Sequence, residues 1–282
     1  MTPLAGRVRA VAAVPVGLGA AAVIVGWGPG WAARVLAWIG ITGAAASEAA
    51  FTALVFGAMI ALAVVGGLAT GVRSWTAGGG SVSGAAIGAA GLLAATALAG
   101  IAGVVRHGGG GAGGPLLLAG LATVLVQVTG EEMVFRGWLQ PVLARATGQG
   151  MAVVLIAAAF AGLHALGGER DPLALANLGL GGLLFGVLAA RGGGVVAAIG
   201  AHGVWNAGEQ LVLGLDPNPG LGSFGSLADL DLVGAVRWGG SADGLNASWA
   251  MTAALLALLV PVAMRCRAHP GDAAHRSARV PA

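Results

Sequence analysis

The chain has 282 residues, of which 57% are hydrophobic and only 9% charged, and its mean hydropathy is +0.88. That balance leaves too little polar surface for a soluble globule of this length and fits a polytopic helical membrane protein. The 14 basic residues, all arginine, exceed the 11 acids by only three. So small an excess gives no ground for a nucleic-acid partner and is accounted for by arginine at loop ends.

Arg7 and Arg9 precede the apolar run from Ala10 to Val25, which reads as a retained first span rather than a cleaved signal. Apolar runs of spanning length, about 17–25 residues each, then fall at roughly 10–27, 49–72, 84–105, 115–137, 150–166, 172–190, 194–213 and 248–265. The fold class is therefore all-α: a polytopic transmembrane bundle of about eight spans. The apolar stretch 34–47, with Trp31 and Trp38 at headgroup level, is short and reads as an interfacial or re-entrant helix, a ninth span being the alternative. The glycine tract His107–Gly114 reads as a flexible linker. The only long polar connection, Asp216–Asn246, reads as an extracytoplasmic loop. Beyond Arg265 the chain is short, basic and expected to be disordered, and the single Cys266 has no internal partner. Four parts result: N-terminal transmembrane helices 1–114, a helical core 115–213, the loop 214–247, and a last span with its tail, 248–282.

With eight spans both termini share a side. Arg7, Arg9, Arg73, Arg145, Arg191, Arg265, Arg267, Arg276 and Arg279 fall on that side, against Arg34, Arg106, Arg170 and Arg237 on the other. That bias implies an N-in, C-in protein of a bacterial plasma (inner) membrane. Glycine pairs four apart at Gly67/Gly71, Gly84/Gly88 and Gly182/Gly186 allow close helix contact, though chance explains most such spacings among 53 glycines. Most of the eight tryptophans sit near span ends, as interfacial anchors do. Asn177 reads as an interhelical hydrogen-bonding residue. Glu209 reads either as facing the polar site or as capping its span.

Charge inside such a chain is costly: about 2.5–3.5 kcal/mol at mid-bilayer on the mildest scale. Glu131-Glu132-Met133-Val134-Phe135-Arg136 puts three charges within six residues. Glu132 and Arg136 are four apart, in the favourable order for a helical ion pair. Glu131 is rotated by about 100° and is left without that partner. On these residues alone it is either a water-activating base with a pKa raised by desolvation or a carboxylate snorkelling to water. The fifth span carries Phe160-Ala161-Gly162-Leu163-His164. The seventh carries His202-Gly203-Val204-Trp205-Asn206, with His202 and Asn206 on one face. A lone histidine in an apolar helix is usually a core residue. Three polar spans together suggest one shared polar intramembrane cavity. As drawn, however, the span edges put His164 toward the outer end of its span and Glu131 toward the inner end of its own.

The three motifs EEMVFR, FAGLH and HGVWN resemble, in order, the E-E-x-x-x-R, F-x-x-x-H and H-x-x-x-[N/D] patterns of the CPBP family, the CAAX proteases and bacteriocin-processing enzymes also known as ABI. The resemblance covers roughly residues 115–213. It implies an intramembrane endopeptidase acting on a membrane-associated peptide or protein within the lipid bilayer. Glu131 and His164 would activate the hydrolytic water, His202 and Asn206 would donate to the developing oxyanion, and Glu132 with Arg136 would hold the site. Members are often called metalloproteases, and zinc, if present, would take Glu131, His164 and His202. The H-E-x-x-H arrangement is absent and Asn206 is a poor zinc ligand, so the inventory favours a glutamate-activated water without a cofactor. The other classes are a non-catalytic immunity or scaffold protein and a proton-coupled transporter. Against the last stands the absence of an internal repeat.

Overall fold

The computed structural model describes residues 3–72, 80–109, 114–218, 220 and 222–267. The expected tail after Arg267, Arg73 and residues 110–113 of the glycine tract lie outside the described residues.

Helix α1 (Pro3–Ile39) runs without a break through 37 residues. The chain reverses at Gly40 and Gly43, whose φ angles of 73° and 103° need a residue without Cβ, and α2 (Ala44–Thr70) follows. The separate interfacial helix expected at 34–47 is therefore corrected. Its first half ends α1 and its last residues begin α2, because the only strong breakers lie between them. Trp27, Trp31 and Trp38 stand exposed along α1. The end of α2 closes with Gly71 in the left-handed region and a bond from the Val72 amide to Gly67 O (2.8 Å). Gly71 thus terminates a helix, with nothing within 4 Å of its Cβ position. Arg145 donates to Thr70 O (2.8 Å) and Gly71 O (3.0 Å), satisfying carbonyls left over at that end.

Helix α3 (Ser81–Ile101) gives way to a short strand, β1 (Val105–His107), where a span end and the start of a linker were expected. Helix α4 (Pro115–Glu132) passes through a π-helical stretch, Met133–Leu139, into α5 (Gln140–Thr147). The apolar helix is continuous over 33 residues, Pro115–Thr147, not ended at 137. A tight reversal at Gly148 (φ 82°) leads into α6 (Gln149–Gly167). Asp171 caps α7 (Pro172–Leu188), accepting from the amides of Leu173 (2.7 Å) and Ala174 (3.1 Å), with Pro172 in the first turn. A second π stretch, Ala189–Gly193, precedes α8 (Gly194–Ala207), which itself continues as a π helix over Gly208–Leu213. The last helix is α9 (Trp249–Arg267).

Among the described residues six helices are long and apolar enough to cross a membrane: 12–39, 44–70, 81–101, 115–147, 149–167 and 172–191. Helix α8 with its π continuation and the apolar stretch of α9 pack beside them. A Cβ on Gly84 would lie 2.1 Å from Ala197 O, and one on Gly88 2.1 Å from Ala201 O. These two glycines therefore bring α3 and α8 into backbone contact, in parallel, and their spacing is not an accident of composition.

Segment 214–247, expected as a loop, is a folded cap. Strand β3 (Leu230–Leu232) pairs antiparallel with β1 and parallel with β2 (Leu215–Asp216). Phe224 is buried with Val124, Val128 and Leu211. The Glu48 carboxylate accepts from the amides of Gly222 (3.1 Å) and Ser223 (3.0 Å). Two apolar clusters make the main body. One joins α3, α7, α8 and α9, and the other joins α1, α2, the first π stretch and α6. The polar motifs lie at the seam between them.

Candidate active site

Glu131 stands sixteen residues from either end of the continuous helix Pro115–Thr147. His164 is fifteen residues into α6, counted from Gln149 at the shared Gly148 turn. At 1.5 Å per residue both lie about 23 Å from that turn. The mismatch in depth implied by the sequence-derived edges disappears, because the fourth span was drawn ten residues too short.

Glu132 and Arg136 pair as their spacing predicts, Nη1 to Oε1 at 3.0 Å, with both side chains fully buried. The same Glu132 Oε1 also meets His202 Nδ1 at 2.9 Å. A carboxylate only accepts, so Nδ1 carries the proton and donates. Arg136 Nη2 donates to Gly182 O (3.0 Å), tying the pair to α7. One turn on, Gln140 Nε2 donates to Gly186 O (2.9 Å). Gly182 and Gly186 are thus a second glycine pair with a structural use. A Cβ on Gly182 would press on Ala157 Cα at 3.1 Å and Arg136 Nη2 at 3.3 Å.

His202 Nε2 lies 3.9 Å from Glu131 Oε2 and 3.3 Å from Asn206 Nδ2. The side chains of Glu131 and His202 each keep 10% exposure, whereas Glu132 and Arg136 keep none. Solvent or substrate therefore reaches the first two and not the second two. With its proton on Nδ1, His202 presents Nε2 as an acceptor, and the Asn206 amide donates to it (3.3 Å).

His164 is held differently. Its Nδ1 bonds Phe160 O (2.9 Å), one turn back in α6, and it makes no hydrogen bond to Glu131. With that proton on Nδ1, the free Nε2 is an acceptor. Its ring lies 4.5 Å from Phe160, which in turn meets Phe135 edge-on at 5.2 Å, His202 at 6.4 Å and the Arg136 guanidinium at 4.6 Å. Phe160 is the hub through which the three motifs touch. The structure brings Glu131, Glu132, Arg136, His202 and Asn206 into one polar chain and sets His164 beside it across an aromatic ring.

Several contacts were not legible in the sequence. The Glu132–His202 bond joins residues 70 apart, and Phe185 stacks on His202 at 4.7 Å and 15° with no motif to mark it. Trp138 and Trp205 are buried rather than interfacial, Trp138 donating to Thr70 Oγ1 (3.1 Å). Asn177 does bond across elements, to Asn246 O and Ser248 O and from Thr252 Oγ1. Glu209 is buried in the π stretch against the Trp205 indole.

Among the described residues no group of three or more His, Cys, Asp or Glu is arranged to hold a metal ion. Glu132 already holds Arg136 and His202, and His164 does not converge with Glu131 and His202. Residues 113–208 match the family model described as Rce1-like, type II CAAX prenyl endopeptidase. No curated protein and no solved structure matches the chain.

Proposed function

We propose that this membrane protein, whose residues 113–208 match the Rce1-like family model of type II CAAX prenyl endopeptidases, hydrolyses a peptide bond of a membrane-associated protein or peptide with a water activated by Glu131. The observation that carries the reading is the chain Arg136–Glu132–His202, buried mid-bundle, with the Glu131 carboxylate on the accessible side of His202. Glu132 is committed to two cationic or donor groups. Among the described residues Glu131 has no ion-pair partner nearer than His202 Nε2 at 3.9 Å, and it can take a proton from water. His164 Nε2 offers a second acceptor for that water. As the water attacks, negative charge moves to the carbonyl oxygen. The Asn206 amide, held beside His202, is the donor that can meet it. The proton held by Glu131 then passes to the leaving amine. A low-dielectric surround strengthens each of these charge interactions. No step is routed through a metal.

The test is purified enzyme on a membrane-anchored peptide. Glu131→Gln keeps the shape of the side chain but cannot take the proton, so turnover should fall by about 10²–10⁴-fold with the protein still folded. The wild-type enzyme treated with a strong chelator should keep its rate. Cleavage by the Gln variant within about tenfold of wild type would remove Glu131 as the base. Stoichiometric zinc that restores a chelator-abolished rate would make the enzyme metal-dependent.

A further inference from the structure

Helix α7 carries none of the three motifs, yet one of its faces backs the first and the third. Over a single turn it presents Gly182 O to Arg136 (3.0 Å), the Phe185 ring to His202, and Gly186 O to Gln140 (2.9 Å). The Phe185 and His202 rings are nearly parallel, 15° apart with centroids at 4.7 Å. The other aromatic neighbour of His202, Phe160, meets it edge-on at 81°. Phe185 is itself buried, 6% exposed, among Leu184, Leu188, Ala198 and Ala201.

An imidazole on a helix has two soft torsions. One hydrogen bond from Nδ1 to Glu132 fixes where that nitrogen sits but leaves the ring free to swing about the bond. Three points define a plane, and the second nitrogen is aimed only when the plane is set. A flat ring stacked on one face and another against its edge supply that constraint at no polar cost.

Resting on the endopeptidase reading, we infer that Phe185 is a positioning residue: it sets the plane of the His202 imidazole so that Nδ1 faces Glu132 while Nε2 faces Glu131 and Asn206. It touches no reacting atom. The close approach that lets it do so comes from Gly182 and Gly186 on either side. A Cβ on Gly186 would meet Gln140 Oε1 at 2.9 Å and Val153 Cγ1 at 3.1 Å.

The experiment compares Phe185→Leu, which keeps apolar bulk without a flat face, with Phe185→Tyr, which keeps the ring. Each is assayed for kcat and KM on a membrane-anchored peptide. Each is also ¹⁵N-labelled at histidine, and the His202 ring signals are identified by their loss in His202→Gln. Leu should lower kcat by about 10- to 100-fold, the cost of a small misplacement, with KM within about twofold and the His202 Nδ1–H signal broadened or lost. Tyr should restore kcat to within about threefold of wild type and retain the signal. An unchanged kcat and unchanged His202 signals in the Leu variant would overturn the inference. So would equal losses of kcat in the Leu and Tyr variants alongside matching losses of melting temperature, since that marks packing alone. The nuclear signals read His202 whether or not peptide is cleaved. A wild-type enzyme that fails to cleave but shows the Leu-specific loss would sink the endopeptidase reading and leave the positioning role standing.

Discussion

At the residue scale, Glu132 bears most of the architecture of the site. One of its oxygens accepts from both Arg136 and His202, in a place where neither Glu132 nor Arg136 touches solvent. Breaking a buried pair by removing one partner strands a charge and costs about 3–5 kcal/mol. Glu132→Ala and Arg136→Ala should each be destabilising to that order in a thermal-melt series. The double variant should cost less than their sum, because no unpaired charge is left. It should still fall short of wild type, since His202 Nδ1 loses its acceptor and Gly182 O its donor. Strict additivity would show that the two side chains do not act as a pair. Pairing follows from sequence spacing; the sharing with His202 does not, since it joins α4 to α8.

At the scale of elements, the placement of His202 depends on α3, which carries no chemistry at all. Gly88 lies against Ala201 O, the carbonyl immediately before His202. A backbone oxygen cannot rotate away, so a side chain at 88 must drive the two helices apart. Gly88→Val should lower stability by about 1–3 kcal/mol, as overpacking does, and should reduce turnover along with it. Gly57→Val, in α2 with nothing within 4 Å of its Cβ position, is the matched control. It should leave both unchanged or gain slightly in stability. Equal effects at the two positions would mean that the α3–α8 contact does not place the histidine. The π stretch Met133–Leu139 belongs to the same level. It follows Glu131 and Glu132 directly and lets Arg136 reach α7 while the helix runs on to Thr147. Such stretches recur at functional sites.

At the scale of the whole molecule, the cap formed by β1, β2, β3 and the turns after them closes one end of the bundle through polar contacts. Arg237 donates to Asp171 Oδ2 at 2.7 Å, linking the cap to the start of α7. Burial alone would raise the Asp171 carboxyl. The hydrogen bond from Arg237 and those from the Ala174 and Leu173 amides outweigh it and hold the group below its ordinary value of 3.8. A carboxyl depressed on folding contributes stability that is fully present above that ordinary value and is lost as pH falls through the lower folded one. The pair is half-exposed, so its share is small, about 0–1 kcal/mol. Limited proteolysis between Val233 and Asn246 should accordingly be flat above pH ~5 and rise in wild type only below pH ~4. In Asp171→Asn the acid-specific rise should shrink. An unchanged acid rise in that variant would remove the pair as its cause.

The membrane class, the all-α fold, the positions of most helices and the three polar motifs were legible in the sequence. Each rests on local signals: hydropathy over twenty residues, glycine with positive φ, and charges spaced four apart. Helix edges at Gly40–Gly43 and Gly148 were misjudged where apolar composition continued through a turn or a helix outran its apolar run. That error alone created the apparent mismatch in depth between Glu131 and His164. The cap is not legible in the sequence, because strands of two and three residues, paired between segments more than a hundred residues apart, leave no periodic trace. The partners of Glu132, the stacking of Phe185 on His202 and the use of Gly84, Gly88, Gly182 and Gly186 as contact points were decided by tertiary structure. The sequence says which residues can carry charge or approach closely. Which pairs meet depends on how the helices pack, and that is set by the sum of many weak contacts rather than by any one stretch of chain.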